Sequence, residues 1–167
     1  MNFTKINPEE ISENAIKLIG KDWMLITGGN TESNNCMTAS WGGIGFLWNK
    51  PVVYIFVRPQ RYTNEFLETA NYFTLSFFDN SYREMLNFCG KQSGKIYNKA
   101  KEGNLSLFET SNGAVAYNEA KLIIECKKIY AEQIKKEAFT DNEPLHHYPQ
   151  NDFHIMYIGE ITECFIK

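Results

Sequence analysis

Apolar and polar residues alternate most regularly near the end of the chain. Phe153, Ile155, Tyr157, Gly159, Ile161 and Glu163 stand against His154, Met156, Ile158, Glu160 and Thr162, which predicts a long strand over 153–166. Trp23 to Thr27 predicts another, closed by the turn residues Gly28-Gly29-Asn30. Pro51 to Val57 is an almost continuous apolar run, so both faces of that strand should be covered. Tyr72 to Phe78 and Leu122 to Tyr130 complete the clear strands. Between Cys36 and Trp48 the chain is apolar and carries Gly42, Gly43 and Gly45, the mark of a bent or bulged strand closely approached by something.

Helical signals are fewer. Asn7-Pro8-Glu9-Glu10 has the form of a helix start, and Ile11, Ala15, Leu18 and Ile19 lie on one face before Gly20. Thr63 is positioned as an N-cap, with Tyr62 able to staple onto Leu67. Ser81 with Glu84 forms a capping box for a helix through Met85, Leu86 and Phe88, and 87–104 reads as loop or short helix. Several strands with irregularly inserted helices predict a mainly β protein, a β-barrel of α+β character, over a doubly wound sheet. No repeat, linker or low-complexity tract divides the chain.

Composition narrows the picture. At 167 residues the chain fits one domain, 1–167, large enough to bury roughly 70% of its unfolded surface without metal or disulfide. Its formal charge of −3 excludes a general polyanion binder, so any phosphate recognition must be local. Aromatic residues make up 14%, enough for a β core or a ring-binding cavity. Cys36, Cys89, Cys126 and Cys164 show no C-x-x-C spacing, which favours reduced thiols over zinc or disulfides. Met1 to Lys5 lacks the profile of a secretory signal, and no apolar run reaches ~20 residues. A cytoplasmic protein binding neither membrane nor nucleic acid is the expectation.

Three segments carry chemistry. Arg58-Pro59-Gln60-Arg61-Tyr62-Thr63 follows an apolar strand and leads into a helix start; forked guanidinium donors beside free backbone N–H groups suit a phosphate. The same segment also reads as a solvated loop. Asn35 to Gly43 combines small and polar residues that would let a flat ring lie against the backbone, or it is a plain glycine-rich barrel strand. Cys89-Gly90-Lys91-Gln92-Ser93-Gly94-Lys95 is a further anion candidate or a surface turn. Adjacent His146 and His147 cannot readily ligate one metal, and His154 lies beyond a Pro-containing loop, so no metal site is expected. No GxGxxG, P-loop or nucleophile signature is present. No catalytic side chain is expected; the reactive group would be borrowed.

Together the segments resemble the flavin reductase-like family, including its flavoredoxin-type members. The resemblance rests on Asn35-x-Met37-Thr38-Ala39-Ser40-Trp41, on Lys50-Pro51 leading to Arg58-Pro59-x-Arg61-x-Thr63, and on Phe73-Thr74-Leu75-Ser76-Phe77. Cys89-Gly90-x-x-Ser93-Gly94 and His154-x-Met156-Tyr157-Ile158-Gly159-Glu160-Ile161 continue it in order. It implies a six-stranded Greek-key split barrel, a homodimer, and FMN bound near the dimer interface. By that likeness Met37, Thr38, Ala39, Ser40 and Trp41 would line the isoalloxazine, and Arg58, Arg61 and Thr63 would contact the phosphate. Lys91 and Ser93 carry over from a more variable loop, with Lys95 a further candidate. The implied activity is hydride or electron transfer between NADH or NADPH, the flavin and a small-molecule or protein acceptor. The alternative is an FMN-containing electron carrier without nicotinamide turnover.

Overall fold

The computed structural model describes residues 3–167. Alternation builds its main sheet. In β2 (Met24–Gly29), Met24 and Ile26 face one apolar cluster while Leu25 faces a second. The pattern repeats in β6 (Tyr72–Phe77), where Phe73, Leu75 and Phe77 point inward. In β9 (Leu122–Gln133), Leu122, Ile124 and Cys126 point inward and Ile123 outward. The expected strand over 51–57 is β5 (Lys50–Val57); Val52 and Val53 are both fully buried, whereas Tyr54 and Phe56 are half-buried.

Every neighbouring pair in the sheet is antiparallel, in the order β3-β2-β6-β9-β10-β5-β4. Here β3 is Asn34–Ala39, β4 is Gly42–Leu47 and β10 is Ile155–Ile166. A short β1 (Thr4–Ile6) adds to the far end of β10. The two edges, β3 and β4, are consecutive in the chain and separated only by Ser40 and Trp41. The sheet therefore curls until its edges meet at that junction, and no ladder joins them. This is a split barrel, as expected, with eight strands in the sheet rather than six. The glycine-rich stretch expected as one bent or bulged strand is instead two strands, β3 and β4, broken at Ser40 and Trp41. What approaches the glycines is the adjacent strand: a Cβ on Gly42 would lie 2.6 Å from the Tyr54 carbonyl oxygen.

Register shifts between Ile158 and Gly159 and between Ile161 and Glu163 bend β10, so its start pairs with β5 and its end with β1. Gly159 is required there, because a Cβ would stand 2.6 Å from Phe73 Cζ and 2.7 Å from Cys126 Cβ.

The helices cover the sheet. α2 (Tyr62–Thr69) packs on β2 and β3 and sends Leu67 into the inner cluster. α3 (Arg83–Lys91) buries Leu86 and Cys89 on the outer face beside Leu25, Cys36 and Ile123. On the same face, the hairpin of β7 (Leu107–Glu109) and β8 (Val115–Tyr117) packs through β8 on β6 and β2 and supplies Ala116 and Tyr117.

Three helix starts differ from expectation. The 7–20 helix is broken: Pro8–Glu10 is a single 3-10 turn, with the Asn7 N–H donating to the Glu10 carboxylate at 2.6 Å. Asn14 then caps a separate helix, α1 (Ala15–Lys17), by accepting from the Lys17 N–H; a side chain that caps competes with continuing the first helix. Gly20 lies inside the π-helical turn Leu18–Asp22 that follows, and stops nothing. At α2 the cap position is Arg61, not Thr63, and Tyr62 packs edge-on against Phe66 at 5.1 Å. Ser81 falls in a 3-10 turn (Asn80–Tyr82), so α3 starts at Arg83 and runs through Cys89 to Lys91.

Candidate functional site

The segment following β5 is a tight turn. The Arg61 N–H donates to the Arg58 carbonyl at 3.0 Å, and Pro59 occupies the position where its fixed φ fits. The turn sends the two arginines to different places.

Arg58 leans on the loop before β10. Its Nη1 pairs with the Asp152 carboxylate, Nη2 donates to the His147 carbonyl at 2.8 Å, and the guanidinium lies 5.3 Å from the Tyr148 ring centroid. Gln60 donates to the same carboxylate at 2.7 Å. Hydrogen bonds from Gln60 and then Arg58 hold Asp152 below the usual carboxylate range. Trp41 reaches this group from the β3–β4 junction, 5.1 Å from the His147 ring and 5.3 Å from that of His154. His154 is buried, bonded through Nδ1 to the Tyr148 hydroxyl at 2.8 Å, and burial followed by the Arg58 charge lowers it to about 4. It is neutral at physiological pH.

Arg61 turns to the end of α3. Its Nη1 donates to the Gly90 carbonyl at 2.7 Å and its Nη2 approaches the Cys89 carbonyl at 3.5 Å. Thr63 is buried, and its hydroxyl accepts from Asn35 Nδ2 at 2.7 Å. Asn35 packs so tightly under Gly94 that a Cβ there would fall 1.8 Å from its Oδ1. Arg61, Thr63 and the 93–95 segment are thus assembled around the start of β3. Lys91 and Ser93 are exposed at the end of α3 and just beyond it, with the Ser93 hydroxyl accepting from the Lys95 N–H at 3.2 Å. Lys95 pairs with Glu65 and lies over the Tyr62 ring.

β3 connects the two groups. Met37 is committed to the inner cluster, while Thr38 faces α3 and donates to the Leu86 carbonyl at 2.5 Å. Ala39 and Ser40 are half-buried and Trp41 is 44% exposed. Ser40, Trp41, Gly42 and Gly43 line a cavity of about 450 Å³ opposite Ile16, Ile19 and Gly20.

Sequence reasoning left two features unassigned. One is the role of the loop residues His147, Tyr148 and Asp152, whose only local signal is aromatic and histidine density. The other is Lys99 in α4 (Lys99–Glu102), buried at 4% exposure and indistinguishable in sequence from the exposed Lys101.

A family described as the flavin reductase like domain matches residues 17–167. The chain belongs to this family. No curated protein matches it in sequence. Among solved structures, the flavoredoxin of Desulfovibrio vulgaris (Miyazaki F) superposes with a TM-score of 0.70 at 20% identity, covering 97% of this chain and 77% of that one. A flavoredoxin from Methanosarcina acetivorans gives 0.68 at 19% identity, covering 100% and 76%. An NADH:FAD oxidoreductase of Streptomyces globisporus, solved with NAD and FAD fragments, gives 0.65 at 15%, covering 87% and 74%. At these identities the likeness carries the fold. For this flavin reductase-like protein, the site's chemistry rests on its own residues.

Proposed function

We propose that this protein binds FMN and transfers hydride or electrons between reduced nicotinamide, the flavin and a further acceptor. The observation that carries this reading is the arrangement along β3. At one end stand Arg61, Thr63 and the Ser93 loop, donors suited to a phosphate. At the other, Ser40 to Gly43 offer small residues and a cavity beside an exposed indole, suited to the face of a flat ring. Asn35 and Trp41 are six residue steps apart, about 20 Å if the chain stays extended beyond the end of β3 at Ala39, so the site fits an elongated ligand, charged at one end and planar at the other.

Thr38, Ala39 and Ser40 would present backbone groups to the ring edge, whereas Met37 supports them from within. A bound flavin supplies the redox chemistry; the chain supplies position, charge and exclusion of water. Arg58, through Asp152 and the His147 carbonyl, ties the 147–154 loop beside Trp41 and so shapes the ring end more than the phosphate end. Neutral His154 adds no charge there. The nicotinamide step draws support from the neighbour solved with NAD and FAD fragments. The likeness to flavoredoxins favours a second reading, an electron carrier without nicotinamide turnover.

A homodimer is part of the proposal. Edge strand β4 has no partner on its outer side among the described residues, and Phe46 and Trp48 are 68% and 56% exposed. A cytoplasmic location is supported by four buried, free cysteines. Among the described residues no helix is long and apolar enough to cross a membrane.

Titration of FMN followed by flavin fluorescence tests the binding. A saturable change supports it, and an unchanged signal with colourless protein overturns it. Stopped-flow reduction of the loaded protein by NADH and by NADPH then separates the readings. Fast reduction by either supports the reductase, and none by both supports the carrier.

A further inference from the structure

Two of the four cysteines meet where the end of α3 lies on β3. Cys36 and Thr38 share the outer face of β3, and Leu86, Cys89 and Gly90 come from the last turns of α3. The approach is close: Thr38 donates to the Leu86 carbonyl at 2.5 Å, and a Cβ on Gly90 would stand 3.4 Å from that of Thr38. Lys99 fastens the same join, its Nζ donating to the Cys36 carbonyl at 2.8 Å and the Cys89 carbonyl at 2.9 Å. Both thiols are buried in one cluster, and their side chains hydrogen-bond each other.

The two sulfurs are not equivalent. Cys36 lines a cavity of about 660 Å³, together with Tyr117 and Lys99, and Cys89 does not reach it. Cys89 instead packs its sulfur 3.7 Å from Met85 Sδ. The hydrogen bond from Cys89 holds the Cys36 thiol below its ordinary value against the cost of burial; Tyr117 and the charges of Lys99 and Arg61 act with that bond. The same bond, and burial, push Cys89 up. A thiolate is the reactive form of cysteine, so a reactive sulfur with a way in stands against a protonated partner. Cys126 and Cys164 are the internal comparison. They sit in the inner cluster, where burial raises both.

We propose that Cys36 and Cys89 form a peroxide-oxidisable dithiol, in which Cys36 reacts first and Cys89 resolves it to a disulfide that ties β3 to α3. In the first step the Cys36 thiolate attacks one oxygen of hydrogen peroxide. An S–O bond forms, the O–O bond breaks, and hydroxide leaves and takes up the proton that Cys36 had lost, giving water and a sulfenic acid. In the second, the Cys89 sulfur attacks that of Cys36. The S–S bond forms, the S–O bond breaks, and the departing hydroxide carries off the Cys89 proton as water. Two thiols and one peroxide thus become one disulfide and two waters. A small dithiol reverses the change, as suits a thiol pair in a reducing compartment. The bond would hold the residue before Met37 against the end of α3. None of this depends on the flavin reading.

The test treats the protein with a few equivalents of hydrogen peroxide, denatures it in N-ethylmaleimide, digests it without reductant and reads the peptides by mass spectrometry. The expected product is a peptide pair joined through Cys36 and Cys89 and lighter by two hydrogens, with Cys126 and Cys164 alkylated; dithiothreitol should restore the thiols. Methionine sulfoxide without the cross-link, or oxidation of Cys126 and Cys164 as fast as that of Cys36, overturns the proposal. Two variants check the order of events. In Cys89→Ser a sulfenic acid should persist on Cys36 and be trapped by dimedone, whereas in Cys36→Ser trapping on Cys89 should be at least about 10-fold slower. Equal trapping in the two overturns the assignment of Cys36 as the reactive thiol. Thermal denaturation shows whether each variant folds. Where one does not, alkylation of the unaltered folded protein decides: Cys36 should react at least about 10-fold faster than Cys126 or Cys164, and equal rates overturn the assignment.

Discussion

His154 should give the protein a stability that depends on pH in a defined window. It is 7% exposed, its Nδ1 meets the Tyr148 hydroxyl, and Trp41 closes on its ring. Burial and the Arg58 charge, opposed in part by Asp152, lower it to about 4. The unfolded chain would titrate this imidazole near the ordinary ~6.5. Between these values the unfolded state holds more protons than the folded one, so stability falls as pH falls. The contribution is complete above ~6.5, declines through the window and is flat below about 4. At ~1.36 kcal/mol per pH unit the gap amounts to about 3 kcal/mol. Urea unfolding at intervals from pH 7.5 to 4, on the unaltered protein and on His154→Gln, measures it. The substitution alters packing by an amount independent of pH, so the readout is the difference in slope. That comparison also removes the contribution of Glu163, whose lowered value, set by Lys5 and Ser111 against burial, acts in the same direction. Direct titration of the His154 ring protons by NMR supplies the second check. A ring that titrates near 6.5, or identical slopes in the two proteins, would refute the assignment.

Two further outcomes test the frame that carries the site. Gly159→Ala should cost roughly 1–3 kcal/mol, because the new methyl group meets Phe73 and Cys126 at the β10 bend; urea midpoints measure it, and a neutral result would show that the bend can relax. Leu86→Ala should cost about 2–5 kcal/mol by opening a cavity where α3 packs on the sheet. Hydrogen exchange in α3 should accelerate more than in β9, and equal acceleration would mean that α3 does not open by itself.

What could be read from the sequence was whatever neighbours along the chain decide. The alternation of β10 predicted a strand whose ends lie within two residues of those found. The glycines of 42–45 suggested one bent or bulged strand; the chain instead forms two strands broken at Ser40 and Trp41, and the close approach the glycines permit is that of Tyr54. The 7–20 helix was lost through a local competition visible in advance, since Asn14 is as good a cap as Asn7. The strands β1, β7 and β8 have three residues each, too few for a period to show. Lys99 could not be found by any local signal. Its burial comes from carbonyls 63 and 10 residues away.

The arginine segment shows where local reasoning could have gone further. Two arginines three residues apart suggested one anion site, yet proline after the first is the mark of a turn, and a turn that hydrogen-bonds its ends reverses the chain. Arg58 then leaves with the direction of β5, toward an acidic partner 94 residues distant, while Arg61 leaves with α2 toward the end of α3. Asp152 pairs with one cation, and no carboxylate among the described residues pairs with the other. On the proposed flavin reading, that asymmetry, absent from residue type and spacing, favours Arg61 over Arg58 as the cation for a phosphate. It also predicts different effects for the two alanine substitutions: Arg61→Ala should weaken FMN and spare riboflavin, whereas Arg58→Ala should loosen the 147–154 loop and weaken both.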